Sequence, residues 1–246
     1  MKMSKTRLFI DKKLSSNTMI YIRDKQHHFL KNVLRIKIHD LISVFDGITG
    51  EWSSKVVSIN RDNIVLQILN HTSNIKIETD LWLVFAPIKL FRMNITIQKA
   101  TELGVSNIIP CITENTNQTK LNMRNLKMNI IEASEQSQRL TLPRLEECIS
   151  LNDLLDNFPS DRGIIFCDEN NRELPLINEV LPKYLDSYKK WAVLIGPEGG
   201  FTDLEVNKIR SISSSIPVSL GRRILRSDTA TTAALFSVQS IIENRL

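Results

Sequence analysis

Two glycine-bearing stretches near the carboxyl end hold the residue types best suited to gripping a small ligand. In WAVLIGPEGGFTDLEV an apolar run ends in Gly196-Pro197-Glu198-Gly199-Gly200, and Thr202-x-x-Glu205 then has capping-box spacing for a helix start. In IPVSLGRRILRSDTATTAAL a second apolar run meets Gly221, and Ser227 or Asp228 is expected as the N-cap of the last helix. Four of the chain's eight glycines lie in these two segments. Glycine admits close backbone approach and left-handed φ, which a ligand-gripping loop needs, although two tight turns would use it equally. Neither GxxxxGK[ST] nor GxGxxG occurs, so a triphosphate cradle or a dinucleotide fingerprint is not indicated. The expected ligand is held by backbone amides and carbonyls among Leu194, Ile195, Leu220, Ile224 and Leu225, as would suit an adenine ring with a short zwitterionic tail. Arg222, Arg223 and Arg226 precede the last helix, where cations oppose the macrodipole by about 0.3–1 kcal/mol each. An anion meeting them, such as a nucleic-acid phosphate, or pairing with Glu198 or Asp203, would relieve that cost.

The elements that must position these loops alternate. Apolar strands DLWLVFAPI, NIIPCI, RGIIFC, WAVLIG and IPVSL are separated by helical segments over Arg92–Leu103, Met123–Arg139, Asp203–Ile212 and Asp228–Asn244. Strands apolar on both faces predict a parallel sheet in an α/β domain, with ligands at the strands' carboxyl ends. Upstream, RLFI, MIYI, LISVFDG, EWSSKVVSI and NIVLQIL read as strands, with one helix over DKQHHFLKNVLR and a turn at Asn60–Asn63. That pattern predicts a small β-barrel-like module over residues 1–75, with the α/β domain over 76–246 and the polar stretch HTSNIKIET at the boundary.

Charge follows this division. The chain has 246 residues with 32 Lys+Arg and 27 Asp+Glu, a net charge of +5. Residues 1–75 carry 12 basic and 6 acidic side chains, so the remainder is close to neutral and a polyanionic partner is expected for the first module. All four histidines (His27, His28, His39, His71) also lie there, which excludes histidine from any site built on the α/β domain alone. Cys111, Cys148 and Cys167 have no metal-binding spacing and are expected to be small buried hydrophobes; no metal is expected. No apolar run reaches the ~18 residues of a membrane span, and MKMSKTRLFID meets charge too early for a signal-peptide core, so a cytoplasmic location is expected.

LIGPEGGF (Leu194–Phe201) followed by LGRRILRSDTA (Leu220–Ala230) resembles the RsmE family of ribosomal-RNA uridine N3-methyltransferases, of the SPOUT class. QKATELGV (Gln98–Val105), ASEQSQRLTLP (Ala133–Pro143) and HHFLKNVLR with VFDG (His27–Arg35, Val44–Gly47) resemble further family segments in the expected order. Asp228 departs from the glutamate of the family's Arg-x-Glu-Thr, a carboxylate shorter by one methylene.

The resemblance implies a PUA-like amino-terminal domain and a SPOUT α/β domain with a carboxyl-terminal trefoil knot. It implies S-adenosylmethionine bound by Leu194–Gly200 (Gly200 included) and Leu220–Leu225, with backbone contacts from Gly196, Pro197, Gly199 and Gly221. Arg226, then Glu198 and Asp228, would serve catalysis on uridine N3. Arg7, Lys31, Arg35, Arg139, Arg222 and Arg223 would contact small-subunit ribosomal RNA, probed by a homodimer on the assembled subunit. Rival readings are a ribose 2′-O methyltransferase, separated by mapping the modified nucleotide, a non-catalytic assembly factor, separated by cofactor titration, and a nicotinamide enzyme, disfavoured by the missing GxGxxG.

Overall fold

The computed structural model describes residues 6–76, 78–171 and 173–244. The chain forms two compact units, residues 1–77 with 134–142, and residues 78–133 with 143–246.

In the first unit, β1 (Arg7–Phe9), β2 (Met19–Ile22), α1 (Asp24–His28), β3 (Leu41–Phe45), β4 (Glu51–Ile59) and β5 (Ile64–Ser73) follow the apolar runs read in the sequence. The sheet order is β1-β3-β4-β5-β2, parallel only between β1 and β3. Strand alternation buries Ile64, Leu66 and Ile68 against Leu8, Ile42, Val44 and Val56. No pairing between β1 and β2 occurs among the described residues, so the strands form an open sheet there. The segment expected as one helix is instead α1 followed by a π-helical turn over Phe29–Val33, whose wider winding seats Leu30 in the core and leaves Val33 exposed. Asn60 and Asn63 close the expected turn, Asn60 N donating to Asn63 O at 2.8 Å. β5 extends into the polar boundary stretch as far as Ser73, and Ile77 lies outside the described residues.

The VFDG turn has a structural purpose that the sequence did not reveal. Asp46 is buried and accepts from Leu14 N (2.9 Å), Ile48 N (2.9 Å), Thr49 N (2.7 Å) and Thr49 Oγ1 (2.6 Å). Burial alone would push its carboxyl up, but these donors outweigh that and hold its pKa below the usual carboxylate value.

The second unit contains β6 (Leu81–Phe85), α2 (Leu90–Glu102), β7 (Asn107–Ile112), α3 (Met123–Ser137, whose last residues join the first unit), β8 (Arg144–Leu145) and β9 (Ile149–Ser150). It continues with α4 (Leu151–Asp156), β10 (Arg162–Cys167), α5 (Ile177–Val180), β11 (Lys190–Ile195), α6 (Asp203–Ser211), β12 (Ser215–Val218) and α7 (Ser227–Glu243). All strand pairs are parallel, in the order β12-β10-β11-β6-β7-β8, with β9 on β7. This is the α/β sheet expected from strands without alternation, and β10 is buried along its whole length. The short α4 and α5 were not read in the sequence because each is briefer than the window in which helical periodicity shows.

One polar anchor sits at the amino ends of the central strands. Arg162, 3% exposed, donates to Asp80 Oδ2 at 2.7 Å and to the carbonyls of Asp80 and Trp191, and lies 3.6 Å over the Trp82 ring. Burial opposes ionisation of Asp80, but the Arg162 hydrogen bond and charge hold its pKa low. Cys111 and Cys167 are buried, as expected; Cys148 is exposed beside β9, so it is not the small core residue anticipated.

Candidate functional site

The carboxyl ends of the adjacent strands β10, β11 and β12 converge on a cavity of about 210 Å³. Each strand delivers a loop. After β11, Gly200 N donates to Pro197 O at 3.0 Å, closing a turn that only a residue tolerant of Gly200's φ of +69° can complete. Thr202 then begins α6 with the capping box read in the sequence: Glu205 N donates to Thr202 Oγ1 (3.3 Å) and Thr202 N to Glu205 Oε2 (2.9 Å). Two contacts unseen in the sequence brace this loop: Asn115 Nδ2 donates to Gly199 O (3.2 Å) and Gly200 O (3.0 Å), and Glu114 N donates to Glu205 Oε1 (2.8 Å).

After β12, Gly221 adopts φ +106° and its N–H donates to Ser219 Oγ at 3.1 Å. Nothing lies within 4 Å of where a Cβ would stand, so the backbone conformation alone demands glycine there. The expected N-cap is corrected: Arg226 caps α7 without a side-chain bond, and Ser227 and Asp228 lie inside the first turn. Ser227 Oγ is committed elsewhere, donating to Gly196 O at 3.3 Å and so joining the β11 and β12 loops.

Most of the expected cofactor residues line this cavity: Ile195, Gly196, Pro197, Leu220, Gly221, Ile224 and Leu225, together with Glu198, Arg223 and Arg226. Leu194 does not; it points into the core of the sheet, 2% exposed. Gly199 and Gly200 shape the loop from behind, and Asp228 and Arg222 are also off the lining. The β10 loop, with Cys167, Asp168 and Glu169, was missed, although the placement of ligands at parallel strand ends applied to RGIIFC as well. Burial pushes the Cys167 thiol up to about 12, so it lines the wall as an unreactive group.

Charge in the site is arranged unevenly. Asp168 is fixed by Arg210 Nη2 at 2.7 Å, and Glu198 Oε1 lies 3.8 Å from Arg92 Nη1 on α2. Arg222, Arg223 and Arg226 are exposed and make no ion pair among the described residues, so the alternative of pairing with Glu198 or Asp203 is not realised. These unpaired guanidiniums at the start of α7 form an anion-seeking surface. Glu169 has its pKa raised, by partial burial and by the charge of Asp168. No cluster of metal-ligating side chains occurs among the described residues.

The first unit separates its expected RNA contacts. Lys31, with Nζ donating to Asn60 O at 3.0 Å, and Arg35 stand at the surface. Arg7 and Arg139 do not. Arg7 Nε meets Glu51 Oε1 at 2.6 Å, and its other nitrogens donate to the carbonyls of Ser134, Glu135 and Arg139 at 3.1–3.3 Å. Arg139 is 8% exposed and donates to Thr141 Oγ1. Arg7 is drawn inward because carbonyls at the end of α3 and in the turn after it need donors.

Residues 76–239 match the RNA methyltransferase domain family, and residues 22–69 the RNA methyltransferase PUA domain family. The chain is 31% identical to "Ribosomal RNA small subunit methyltransferase E" of Rickettsia conorii, over 96% of each chain. It is 32% identical to the protein of that name from Buchnera aphidicola subsp. Schizaphis graminum, over 97% of each. Among solved structures, the ribosomal RNA small subunit methyltransferase E of Neisseria gonorrhoeae bound to S-adenosyl methionine superposes with a TM-score of 0.85 at 26% identity, covering 96% of this chain and 97% of that one. With both of its parts matched and these relatives aligned along nearly its whole length, the chain belongs to the ribosomal RNA small subunit methyltransferase E family of RNA methyltransferases.

Proposed function

We propose that the chain transfers a methyl group from S-adenosylmethionine to N3 of a uridine in small-subunit ribosomal RNA. The observation that carries this reading is the cavity at three parallel strand ends, apolar on one side and rimmed by arginines without acidic partners. The residues present fit the cofactor. Ile195, Leu220, Ile224 and Leu225 supply an apolar wall for a purine, and the turns at Gly196–Gly200 and Gly221 present backbone polar groups. When bound, the cofactor supplies an electrophilic methyl on a sulfonium.

Uridine N3–H must lose its proton before the nitrogen forms a bond to that methyl and the carbon–sulfur bond breaks. The second unit contains no histidine. Arg226, on the lining, is assigned the stabilisation of the uridine anion, which lowers the proton affinity of N3 and lets solvent water take the proton. Glu198, one of three carboxylates on the lining, is next in line as acceptor, and Asp228, off the lining, is assigned to the helix start. Much of the acceleration comes from holding nitrogen, methyl and sulfur in line. A base in folded RNA must be turned out of its stack to reach the cavity, and Lys31, Arg35, Arg222 and Arg223 are the surface cations assigned to the flanking phosphates.

The same reading places the enzyme in the cytoplasm as a homodimer acting on the assembled subunit, with the carboxyl-terminal segment threaded as a trefoil knot. Among the described residues no helix is long and apolar enough to cross a membrane. Incubation of unmethylated small subunits with labelled S-adenosylmethionine, followed by nucleoside mapping, tests it: N3-methyluridine is expected. A ribose methyl, or no transfer, would overturn it. Arg226→Ala is expected to lower kcat at least about 100-fold while S-adenosylhomocysteine still binds. Unchanged turnover removes Arg226 from catalysis.

A further inference from the structure

Three carboxylates line the cavity: Asp168, Glu169 and Glu198. Two of them face guanidiniums, Asp168 that of Arg210 and Glu198 that of Arg92. Glu169 has no cation within ion-pair distance and no hydrogen-bond donor among the described residues.

The backbone on either side of it is nonetheless fixed, and Glu169 itself is exposed. Asp168 N donates to Val218 O (3.1 Å), Asn170 N donates to Asp168 Oδ1 (3.1 Å), and Arg210 holds Asp168 Oδ2 (2.7 Å), so the residues flanking Glu169 are pinned to β12 and α6. On the facing loop, a Cβ at Gly200 would stand 2.5 Å from Glu169 Oε1. The β11 loop therefore leaves room for this carboxylate. An unpartnered, exposed acid on the cavity wall is free to accept from a ligand bound there.

We propose that Glu169 accepts the two ribose hydroxyls of the cofactor, an inference that rests on the S-adenosylmethionine reading above. A carboxylate offers two oxygens to a vicinal diol, and O–H···O⁻ bonds are of the strong charge-assisted kind. The other acid-seeking group on the cofactor is its α-ammonium. Arg92 and Arg210 match Glu198 and Asp168, which leaves Arg223 and Arg226 against Glu169 on the lining, and this excess of positive charge disfavours a further cation there. Partial burial and the neighbouring Asp168 also make Glu169 a more basic acceptor than an ordinary glutamate, which strengthens bonds from neutral hydroxyls.

Calorimetric titration with two probes tests the assignment. S-adenosylhomocysteine carries both ribose and amino-acid end, whereas 5′-methylthioadenosine keeps the ribose and lacks the amino-acid end. Glu169→Gln is expected to weaken both by the same factor, about tenfold or more. Gly200→Ala, whose Cβ would displace the carboxylate and which must also adopt φ +69°, is expected to weaken both in the same way, with a thermal melt confirming that the variant is folded. Unchanged affinity of Glu169→Gln for both probes overturns the proposal. Loss confined to S-adenosylhomocysteine overturns it too, because Glu169 then serves the ammonium. Wild-type protein that bound neither probe would overturn the cofactor reading itself, and this assignment with it.

Discussion

Arg210→Met removes the partner of a buried carboxylate while keeping most of the volume of the side chain. Asp168 is 4% exposed and Arg210 39%, with 2.7 Å between Arg210 Nη2 and Asp168 Oδ2. Unit charges about 4 Å apart interact by ~4 kcal/mol at an effective dielectric of 20 and ~1 kcal/mol in bulk water. One partner is buried and the other more than one-third exposed, so a value between these limits applies, about 2 kcal/mol. Deleting one member of a fully buried pair costs ~3–5 kcal/mol, and the solvent reaching Arg210 places this pair below that range. With a urea m-value of ~2 kcal/mol/M, the unfolding midpoint should fall by about 1 M. The assay is urea unfolding of wild type, Arg210→Met, Asp168→Asn and the double variant. The coupling between the two substitutions should exceed ~1 kcal/mol, because Arg210 loses its purpose once Asp168 is neutral. A midpoint shift under 0.2 M with a coupling near zero would refute the reasoning. Asp168→Asn also removes one of the two causes that raise the Glu169 pKa, so Glu169 should titrate lower in that variant.

Gln138 follows α3 with φ +63°, a left-handed conformation at the position where helices usually place glycine. Gln138→Gly relieves ~1 kcal/mol of strain, offset in part by the greater freedom of glycine in the unfolded chain, and should raise Tm by about 1–3 °C by calorimetry. Asp46→Asn should destabilise the first unit by about 2 kcal/mol at pH 7, through loss of charged acceptance from Leu14, Ile48 and Thr49. The folded pKa of Asp46 lies below its ordinary 3.8, so the stabilisation is complete above that pH and is lost as pH falls through the folded value. The gap between wild type and variant in urea unfolding should therefore narrow below pH 4; a gap that widened there would contradict the sign.

Where a structural feature depends on a local repeat, the sequence declared it. Strands without alternation, such as RGIIFC and WAVLI, announced burial on both faces, and both lie within the parallel sheet. The spacing of Thr202 and Glu205 placed a helix start correctly, because a capping box closes over four residues. The last helix was also read, but its cap was not. A serine ahead of an apolar run is the usual signal, yet Ser227 Oγ is drawn to Gly196 O on another strand's loop, a partner 31 positions away. The π-helical turn at Phe29–Val33 escaped for a related reason, since it is set by how Leu30 must enter the core.

The sequence by itself determined the parallel sheet, the glycine turns at two strand ends and the absence of histidine from the second unit; residues 134–142, expected in the α/β domain, fall in the first unit. Through the resemblance of its motifs it also pointed to the methyltransferase family. These properties follow from residue type, period and short-range spacing. Tertiary structure alone decided which charges remain available. Arg7 and Arg139 look like surface cations in the sequence, but Glu51 and the carbonyls of Ser134, Glu135 and Arg139, far along the chain, consume Arg7, and Arg139 is buried. Arg223 and Arg226, which stand out in the sequence ahead of a helix start, remain unpaired at the cavity. Asp168 is matched by Arg210 from 42 residues away, while Glu169, its immediate neighbour, is left to face the cavity. The desolvation and pairing of a charge depend on everything around it in three dimensions, so no local pattern records them.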